Sequence, residues 1–420
     1  MDAKTILKKQ IELVKLDKDV IDKIDIVSKK FCDELKKSIK SKKIKAEVFI
    51  GGSLAKNTIV KTDDNKYDVD IFVRFDKKYK DDEISKLLEK IIGNKAQKVH
   101  GSRDYYQIKT DNIILETIPV IRIKKPEEAL NVTDLSYFHV NYVTEKIKKS
   151  KKLSDEIKLA KAFAHSQECY GAESYIRGFS GYSLELLICH YKSFLKFIEA
   201  IAKFEGKEKL IIDDNKFYKK KLVLIELNES KLISPIILVD PTFKERNALS
   251  SLSSETFEKF KKACTLFLRN PSEEFFRKKS ILEGFKDFKH LRIVSITTNK
   301  QKGDISGTKS KKFFKFFISQ LNREFELKKA DFDYDENENI ANYYLIVDKK
   351  AEEIVKGPPT ADINHLTDFK KAHPEAFVKN NISYAKINHN LTFEDFLNRF
   401  IEKDKRVIKE MSIKEIKLIQ

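Results

Sequence analysis

Residues 51–58, GGSLAKNT, and residues 67–75, YDVDIFVRF, joined by a loop containing Thr62-Asp63-Asp64-Asn65, form the stretch on which the fold turns. The apolar run just before it, AEVFI (46–50), reads as a strand that passes straight into Gly51-Gly52-Ser53. Residues 67–75 alternate clearly and read as a second strand, which makes a strand, turn, helix, strand unit. In a strand, residues i and i+2 point to the same face, so the carboxylates of Asp68 and Asp70 project together. Like charges at that spacing repel, and a divalent cation between them relieves the repulsion. Hard oxygen donors suit Mg²⁺, which takes one or two carboxylates plus substrate phosphates. The Gly-Gly-Ser turn lets backbone approach closely and offers N–H groups and the Ser53 hydroxyl to phosphate oxygens. An isolated Asp-x-Asp pair more often caps a loop or faces water. The turn at this separation is what points it to catalysis.

Further out, NIILETIPVIRI (112–123) reads as a third strand. Glu116 shares a face there with Ile114 and Ile118, whereas Asp111 falls on the opposite face near the strand's start. If this strand neighbours the first two, Glu116 supplies a third carboxylate, the arrangement needed for metal-assisted attack by a ribose 3′-hydroxyl. The residues before Ala46 look helical, with charges and aliphatic side chains at helical spacing. From Ser154 to about Asn270 the pattern is mostly helical, as in SGYSLELLICHYKSFLKFIEAIAKF. After Pro271, HLRIVSITT and NYYLIVDKK read as strands separated by the helix KKFFKFFISQLNREFEL. The expectation is an α+β multidomain protein with three parts. Residues 1–150 form an α/β catalytic domain with a mixed sheet, 151–275 a helical central domain, and 276–420 an α/β C-terminal region.

A chain of 420 residues exceeds what one core serves, so several domains are expected in any case. Lys and Arg number 83 against 65 Asp and Glu, a formal charge of +18, which favours an anionic partner: nucleic acid or an anionic membrane surface. Many of the lysines need be no more than solvated helix faces. Cys32, Cys169, Cys189 and Cys264 lie far apart without CxxC spacing, so neither a zinc site nor a disulfide framework is indicated, and a reducing cytoplasmic setting is expected. No apolar run approaches the roughly 18 residues that span a bilayer.

The segment GGSLAKNTIVKTDDNKYDVDIFV resembles the Gly-Ser…acidic-x-Asp motif of polymerase-β-type nucleotidyltransferases, specifically the archaeal class I CCA-adding enzymes. The downstream blocks YFHVNYV, YGAESYIRGFSGY, VDPTFKERNALSSLS, FLRNPSEEFF and VKGPP resemble that family in the family's order and cover most of the chain. The resemblance implies repair of the 3′-terminal CCA of tRNA from CTP and ATP at a two-metal Mg²⁺ site, with release of pyrophosphate. It implies a five-stranded catalytic domain, a helical domain that closes over the nucleotide, and C-terminal portions that bind the tRNA acceptor arm. It leaves room for a homodimer.

Residue by residue, the resemblance implies that Asp68 and Asp70 bind metal and that Glu116 takes the third carboxylate position. Ser53 and Lys56 would hold the triphosphate. His139, Lys161 and Tyr170 would contact phosphates and sugar, and Arg246 would help read the base. Each admits a plainer reading: His139 as a core histidine, Lys161 on a solvated helix face, Tyr170 packing at a helix end, Arg246 in a structural ion pair. Arg177 reads as structural or RNA-facing. This chain departs from the family pattern at Glu116, where Asp is usual, and at Lys56, where Arg often stands and brings a bidentate fork that Lys lacks. Candidate RNA-facing segments are KSKKFFKFFISQ, whose Phe residues at helical spacing fit a core better than a stacking platform, and a loop VKGPPTADINHL. Other terminal transferases, such as poly(A) polymerases or oligonucleotide second-messenger synthases, and a non-catalytic RNA-binding protein are the rival readings.

Overall fold

The computed structural model describes residues 2–61, 65–101, 103–219, 222–288, 290–299, 303–336, 338–350, 353–387 and 391–420. Thr62, Asp63 and Asp64 of the loop quoted above lie outside the described residues. The chain divides into two compact units, Met1–Lys278 and Lys279–Gln420.

The first unit opens with helices α1 (Ala3–Val14) and α2 (Lys18–Ser41). Asp2 caps α1 by accepting from the Thr5 amide, and α2 buries one stripe, Ile24, Ser28, Cys32, Leu35 and Ile39, at helical spacing. There follow β1 (Ala46–Ile50), the single turn α3 (Gly52–Ala55), β2 (Tyr67–Phe75), α4 (Asp81–Ile92), β3 (Gln97–Val99), β4 (Tyr105–Thr110) and β5 (Ile113–Ile121). These strands form one mixed sheet in the order β1-β2-β5-β4-β3. Only β2 and β5 run parallel, because α4 and the β3–β4 excursion return the chain to the same edge. The odd-numbered side chains Tyr67, Val69, Ile71, Val73, Ile113 and Leu115 are buried with Ile24, Leu35, Ile84 and Leu88 of α2 and α4. By strand alternation, the even-numbered Asp68, Asp70 and Glu116 occupy the other face, away from those helices.

A second core lies among α5 (Ser136–Lys149), α6 (Lys152–Ser166), α7 (Gly181–Tyr191), α8 (Phe194–Lys203) and, after intervening segments, α10 (Ser254–Arg269). Phe163 sits among the rings of Phe194, Phe260, Phe267 and Phe276. Ile6 and Leu7 of α1 belong to this core rather than to that of the sheet. The stretch between α8 and α10 is not all helix: β6 (Leu210–Ile212), the short α9 (Val223–Glu226), β7 (Ile236–Asp240) and β8 (Phe243–Asn247) add a three-stranded sheet. Ile236–Asp240 is a continuous buried run without alternation, so its sequence carried no strand period.

The second unit contains β9 (Leu291–Thr298), α11 (Gly303–Glu324), β10 (Phe325–Asp335), β11 (Ile340–Lys349), β12 (Glu353–Pro359), α12 (Ile363–Ala372), β13 (Phe377–Lys379), β14 (Ile382–Ile387), α13 (Phe393–Lys403), α14 (Lys405–Glu410) and β15 (Ile413–Leu418). An antiparallel sheet β10-β11-β9-β15 packs Tyr343 against Phe313 and Phe317 of α11 and, through them, Phe396 and Phe400 of α13. The aromatic half of KSKKFFKFFISQ is therefore core, not a stacking platform. The expected helix through Leu327 stops at Glu324, and β10 begins at Phe325; its charged, poorly alternating sequence becomes a strand through its ladder with β11.

The segment VKGPPTADINHL, expected as a loop, is the end of β12 and the start of α12. It belongs to a second sheet, β12-β14-β13. A β-carbon on Gly357 would meet the Phe369 ring of α12 at 2.6 Å, so α12 covers that face. The pairs Ile354↔Lys386, Lys356↔Tyr384, Phe377↔Tyr384 and Lys379↔Ile382 define the opposite face. On it the Phe377 and Tyr384 rings stack at 5.8 Å, and Ile354, Lys356, Phe377, Lys379 and Lys386 are exposed. Among the described residues no helix is long and apolar enough to cross a membrane.

Candidate functional site

The β1–β2 ladder pairs Ile50 with Ile71 and continues one step, the Gly51 amide donating to the Asp70 carbonyl at 2.8 Å. The chain then reverses at Gly52, whose φ of +56° lies in the left-handed region, and a β-carbon there would fall 1.6 Å from Asp70 Oδ2. The turn thus lies directly on the Asp70 carboxylate. Ser53 follows at the start of α3, partly exposed, and its carbonyl accepts from the Thr58 amide at 2.9 Å, closing the turn. Asp68 is exposed two residues before Asp70, on the same face. Glu116 is the direct partner of Asp70 in the parallel β2–β5 register, so its strand is the neighbour that the third-carboxylate reading requires. Its Oε1 accepts from Gln107 Nε2 of β4 at 2.6 Å. Among the described residues, no three His, Cys, Asp or Glu side chains converge closely enough to form a metal-holding group. Asp111 stands in the β4–β5 turn, paired with Lys23.

Behind the turn lies a buried charge cluster. Lys56 Nζ donates to Glu185 Oε2 at 2.5 Å, and Thr58 Oγ1 donates to Glu185 Oε1 at 2.9 Å. Lys161 donates to that same Oε1 at 2.9 Å, to Thr58 Oγ1 at 3.0 Å and to the Thr58 carbonyl at 3.2 Å. Lys161 is therefore no solvated helix lysine: it is 3% exposed, and all three of its N–H bonds are met by protein. Burial alone would raise the Glu185 carboxyl, but the ammonium groups of Lys161 and Lys56 outweigh it and take it down to about 2. Burial pushes the Asp70 carboxyl above its ordinary value, with Lys56 and Lys161 pulling it back and Glu185 adding to the rise. A carboxylate whose charge is disfavoured in this way, on one face with Asp68 and under a turn that admits no β-carbon, suits a hard divalent cation.

Tyr170 stacks on His165 at 4.3 Å, and its hydroxyl lies over Gly181 at the start of α7, where a β-carbon would come within 2.8 Å. Burial raises its phenol well above the ordinary value, with Glu185 and Asp70 adding to the rise. The surrounding YGAE…RGFSGY block is one interlocked turn: the Phe179 amide donates to Cys169, Gly171 to Phe179 and Gly178 to Gly171, each at 2.8 Å. A β-carbon on Gly178 would strike the Cys169 carbonyl at 2.2 Å. The block thus answers a packing demand. Within it Arg177 takes a φ of 53° and its carbonyl accepts from the Ser253 amide, a structural position.

His139 and Arg246 gather in a second cluster around Asp240, which is fully buried at the end of β7. Arg246 donates to Asp240 Oδ2 at 2.6 Å, and His139 Nε2 lies 3.1 Å from the same oxygen. Tyr182 and Thr242 donate to Oδ1. The Tyr182 ring stacks on His139 at 4.0 Å. Burial would raise the Asp240 carboxyl, but His139 and Arg246 hold it well below the usual carboxylate range. Burial holds His139 below its ordinary value against the pull of Asp240. Arg246 therefore has the ion-pair partner that its plainer reading expects, whereas His139 Nε2 is buried beside Asp240 and makes no hydrogen bond among the described residues. Arg246 also lines a cleft of ≈ 470 Å³ with Leu130, Val132, Ser180, Phe243 and Ser250. Glu185, Thr58, Tyr182 and Asp240 escaped the sequence reading. Thr58, Tyr182 and Asp240 lie within the quoted GGSLAKNT, RGFSGY and VDPTFKERN blocks, and Glu185 within the apolar helical run that follows RGFSGY.

Residues 155–277 match the family model described as tRNA nucleotidyltransferase, second domain. The chain is 34% identical to the CCA-adding enzyme of Nanoarchaeum equitans over 340 residues, covering 79% of this chain and 81% of that protein. It is 27% identical to the CCA-adding enzyme of Methanocaldococcus jannaschii, over 89% of this chain and 85% of the other, and 27% identical to that of Thermoplasma volcanium, over 96% and 92%. Among solved structures, the poly(U) polymerase Cid1 superposes with a TM-score of 0.51 at 15% identity, covering 66% of this chain and 100% of that one, a likeness of fold.

Proposed function

Taking as premise that the chain belongs to the archaeal CCA-adding family of tRNA nucleotidyltransferases, we propose how its residues perform that family's reaction, the template-independent addition of CCA to the 3′ end of tRNA from CTP and ATP. The tRNA 3′-hydroxyl attacks the α-phosphate in line, a new P–O bond forms, and the bond to the β-phosphate breaks to release pyrophosphate. The family uses nucleotide substrates and a divalent metal. Asp68 and Asp70 would hold Mg²⁺, with Glu116 as the third carboxylate once its hydrogen bond to Gln107 yields. Bound there, the ion supplies Lewis acidity, easing loss of the hydroxyl proton and steadying the charge on the departing pyrophosphate.

Around it, Ser53, the turn amides and Lys56 would bind the triphosphate. Lys161 would add positive charge from behind the turn, and Tyr170 would lie along the sugar and phosphates. Arg246, held by Asp240 at the edge of its cleft, would present N–H donors to the base, while His139 would contact the phosphates and sugar. The face bearing Phe377, Tyr384, Lys356, Lys379 and Lys386 offers the charge and stacking surface for the tRNA partner. A cytoplasmic site of action follows from that substrate.

The observation that carries this reading is the Gly52 turn resting on the Asp70 carboxylate beside Asp68, backed by Lys56 and Lys161. The test is Asp70→Ala with tRNA lacking its CCA and labelled CTP or ATP. Incorporation of both nucleotides should vanish while tRNA affinity stays within a few-fold. Substantial turnover by the variant would overturn the assignment.

A further inference from the structure

We propose that Glu185 is a positioning residue for triphosphate binding: from the core of the helical region it aims Lys56 at the substrate phosphates and pins the Gly51–Thr58 turn. The inference rests on the assignment of Lys56 to the triphosphate. Glu185 is 0% exposed between Leu184 and Leu186 on α7, and a carboxylate buried there is tolerable only when its lone pairs are met. Its two oxygens divide the work. Oε1 takes Thr58 and Lys161, and Oε2 takes Lys56.

Lys161 spends every N–H on Glu185 and Thr58, so it acts as a strut and a source of charge rather than a hand reaching into solvent. Lys56 directs one N–H at Glu185 among its described contacts, which leaves two donors of the same ammonium for phosphate oxygens. Thr58, fixed at its hydroxyl by Glu185, hands the restraint on through its amide to the Ser53 carbonyl, the residue next to the Gly52 bend. One carboxylate, 127 residues along the chain from Thr58, thereby sets the position of the whole turn.

The sign of the effect separates positioning from simple charge. Glu185 is an anion near an anionic substrate, so if it acted only through its charge, Glu185→Gln would tighten CTP binding. If it positions Lys56, the same change weakens CTP binding by about tenfold, the scale of one charge-assisted hydrogen bond. CMP, which lacks the β- and γ-phosphates, binds as before.

The experiment is calorimetric titration of CTP and CMP, with Mg²⁺, into the full-length wild type, Glu185→Gln, Lys56→Met and the double variant. The expected result is a CTP-specific loss in each single variant, with the double variant weaker than wild type by clearly less than the product of the two single losses. Tighter or unchanged CTP binding by Glu185→Gln, equal losses for CTP and CMP, or losses that multiply in the double variant would overturn the proposal. Unchanged CTP binding by Lys56→Met would remove its premise instead, so the two failures are told apart. Should Glu185→Gln not fold, Glu185→Asp replaces it, keeping the charge and shortening the reach. Weakened CTP binding then supports positioning, and wild-type binding overturns it.

Discussion

Replacing Gly52 by alanine tests the site through one methyl group. The added β-carbon would stand 1.6 Å from Asp70 Oδ2, whereas ordinary contact begins near 3.4 Å, so the carboxylate must retreat by about 1.8 Å or the turn must open by as much. A displacement of about 1 Å at reacting groups costs on the order of 100-fold in rate, and single-turnover CMP addition should fall by at least that much. Backbone strain contributes separately, because an L-residue at φ +56° costs roughly 1–2 kcal/mol. Gly93, at the end of α4, supplies the control: its φ is +71°, yet nothing lies within 4 Å of where its β-carbon would be. Gly93 has ψ −161°, a conformation kept almost entirely to glycine, so Gly93→Ala should lose unfolding free energy through backbone strain and keep its rate within about threefold of wild type. Rapid-quench measurement on tRNA lacking CCA, paired with urea unfolding, gives both quantities for each variant. A Gly52→Ala rate close to that of Gly93→Ala would refute the argument that the turn and the Asp70 carboxylate meet in the working enzyme.

At the third carboxylate, Glu116→Gln should lose CMP addition by orders of magnitude, while Glu116→Asp retains more of it and responds to Mn²⁺, which tolerates looser coordination; equal rates for Glu116→Gln and wild type would show that the residue stays with Gln107 throughout. Glu185 sets a pH window: its carboxyl is lowered from 4.5 to about 2, so its stabilisation is complete above pH 4.5 and drains away as the pH falls toward 2, by about 3 kcal/mol in all. Urea unfolding between pH 6 and 2.5 should show this loss, and its persistence undiminished in Glu185→Gln would place its origin elsewhere. On the open sheet face of the second unit, replacing Lys356, Lys379 and Lys386 by Glu should weaken tRNA binding and flatten its log–log salt dependence by about one unit for each phosphate no longer neutralised, with CTP affinity unchanged. An unaltered salt slope would put the tRNA on another surface.

Much of the catalytic face was legible because its rules are local. Alternation along Tyr67–Phe75 puts Asp68 and Asp70 on one side whatever surrounds them, whereas Asp111, expected on the opposite face of the Glu116 strand, stands in the turn before it at a φ of 50°. The blocks around Tyr170 and Arg246 identified the family through residues whose reason became clear only in three dimensions, where Gly178 lies on the Cys169 carbonyl and Asp240 gathers Arg246, His139, Tyr182 and Thr242. Two elements were misread on the same ground. The charged β10 needs its ladder with β11 to be a strand, and the supposed loop at VKGPP needs β14 on one side and Phe369 above it.

Sequence by itself thus determined which carboxylates share a face, how the Gly-Gly-Ser turn precedes them, and to which family the pattern is similar. Tertiary structure alone decided what each buried charge pairs with. Resemblance gave Lys56 and Lys161 a place at the phosphates and gave Glu185 none, and periodicity says only that such residues are near apolar neighbours. A charge can stay buried only where an opposite charge is brought to it. That partner lies 129 residues away for Lys56, a distance over which no local rule acts and only the packing of α6 and α7 against the turn does.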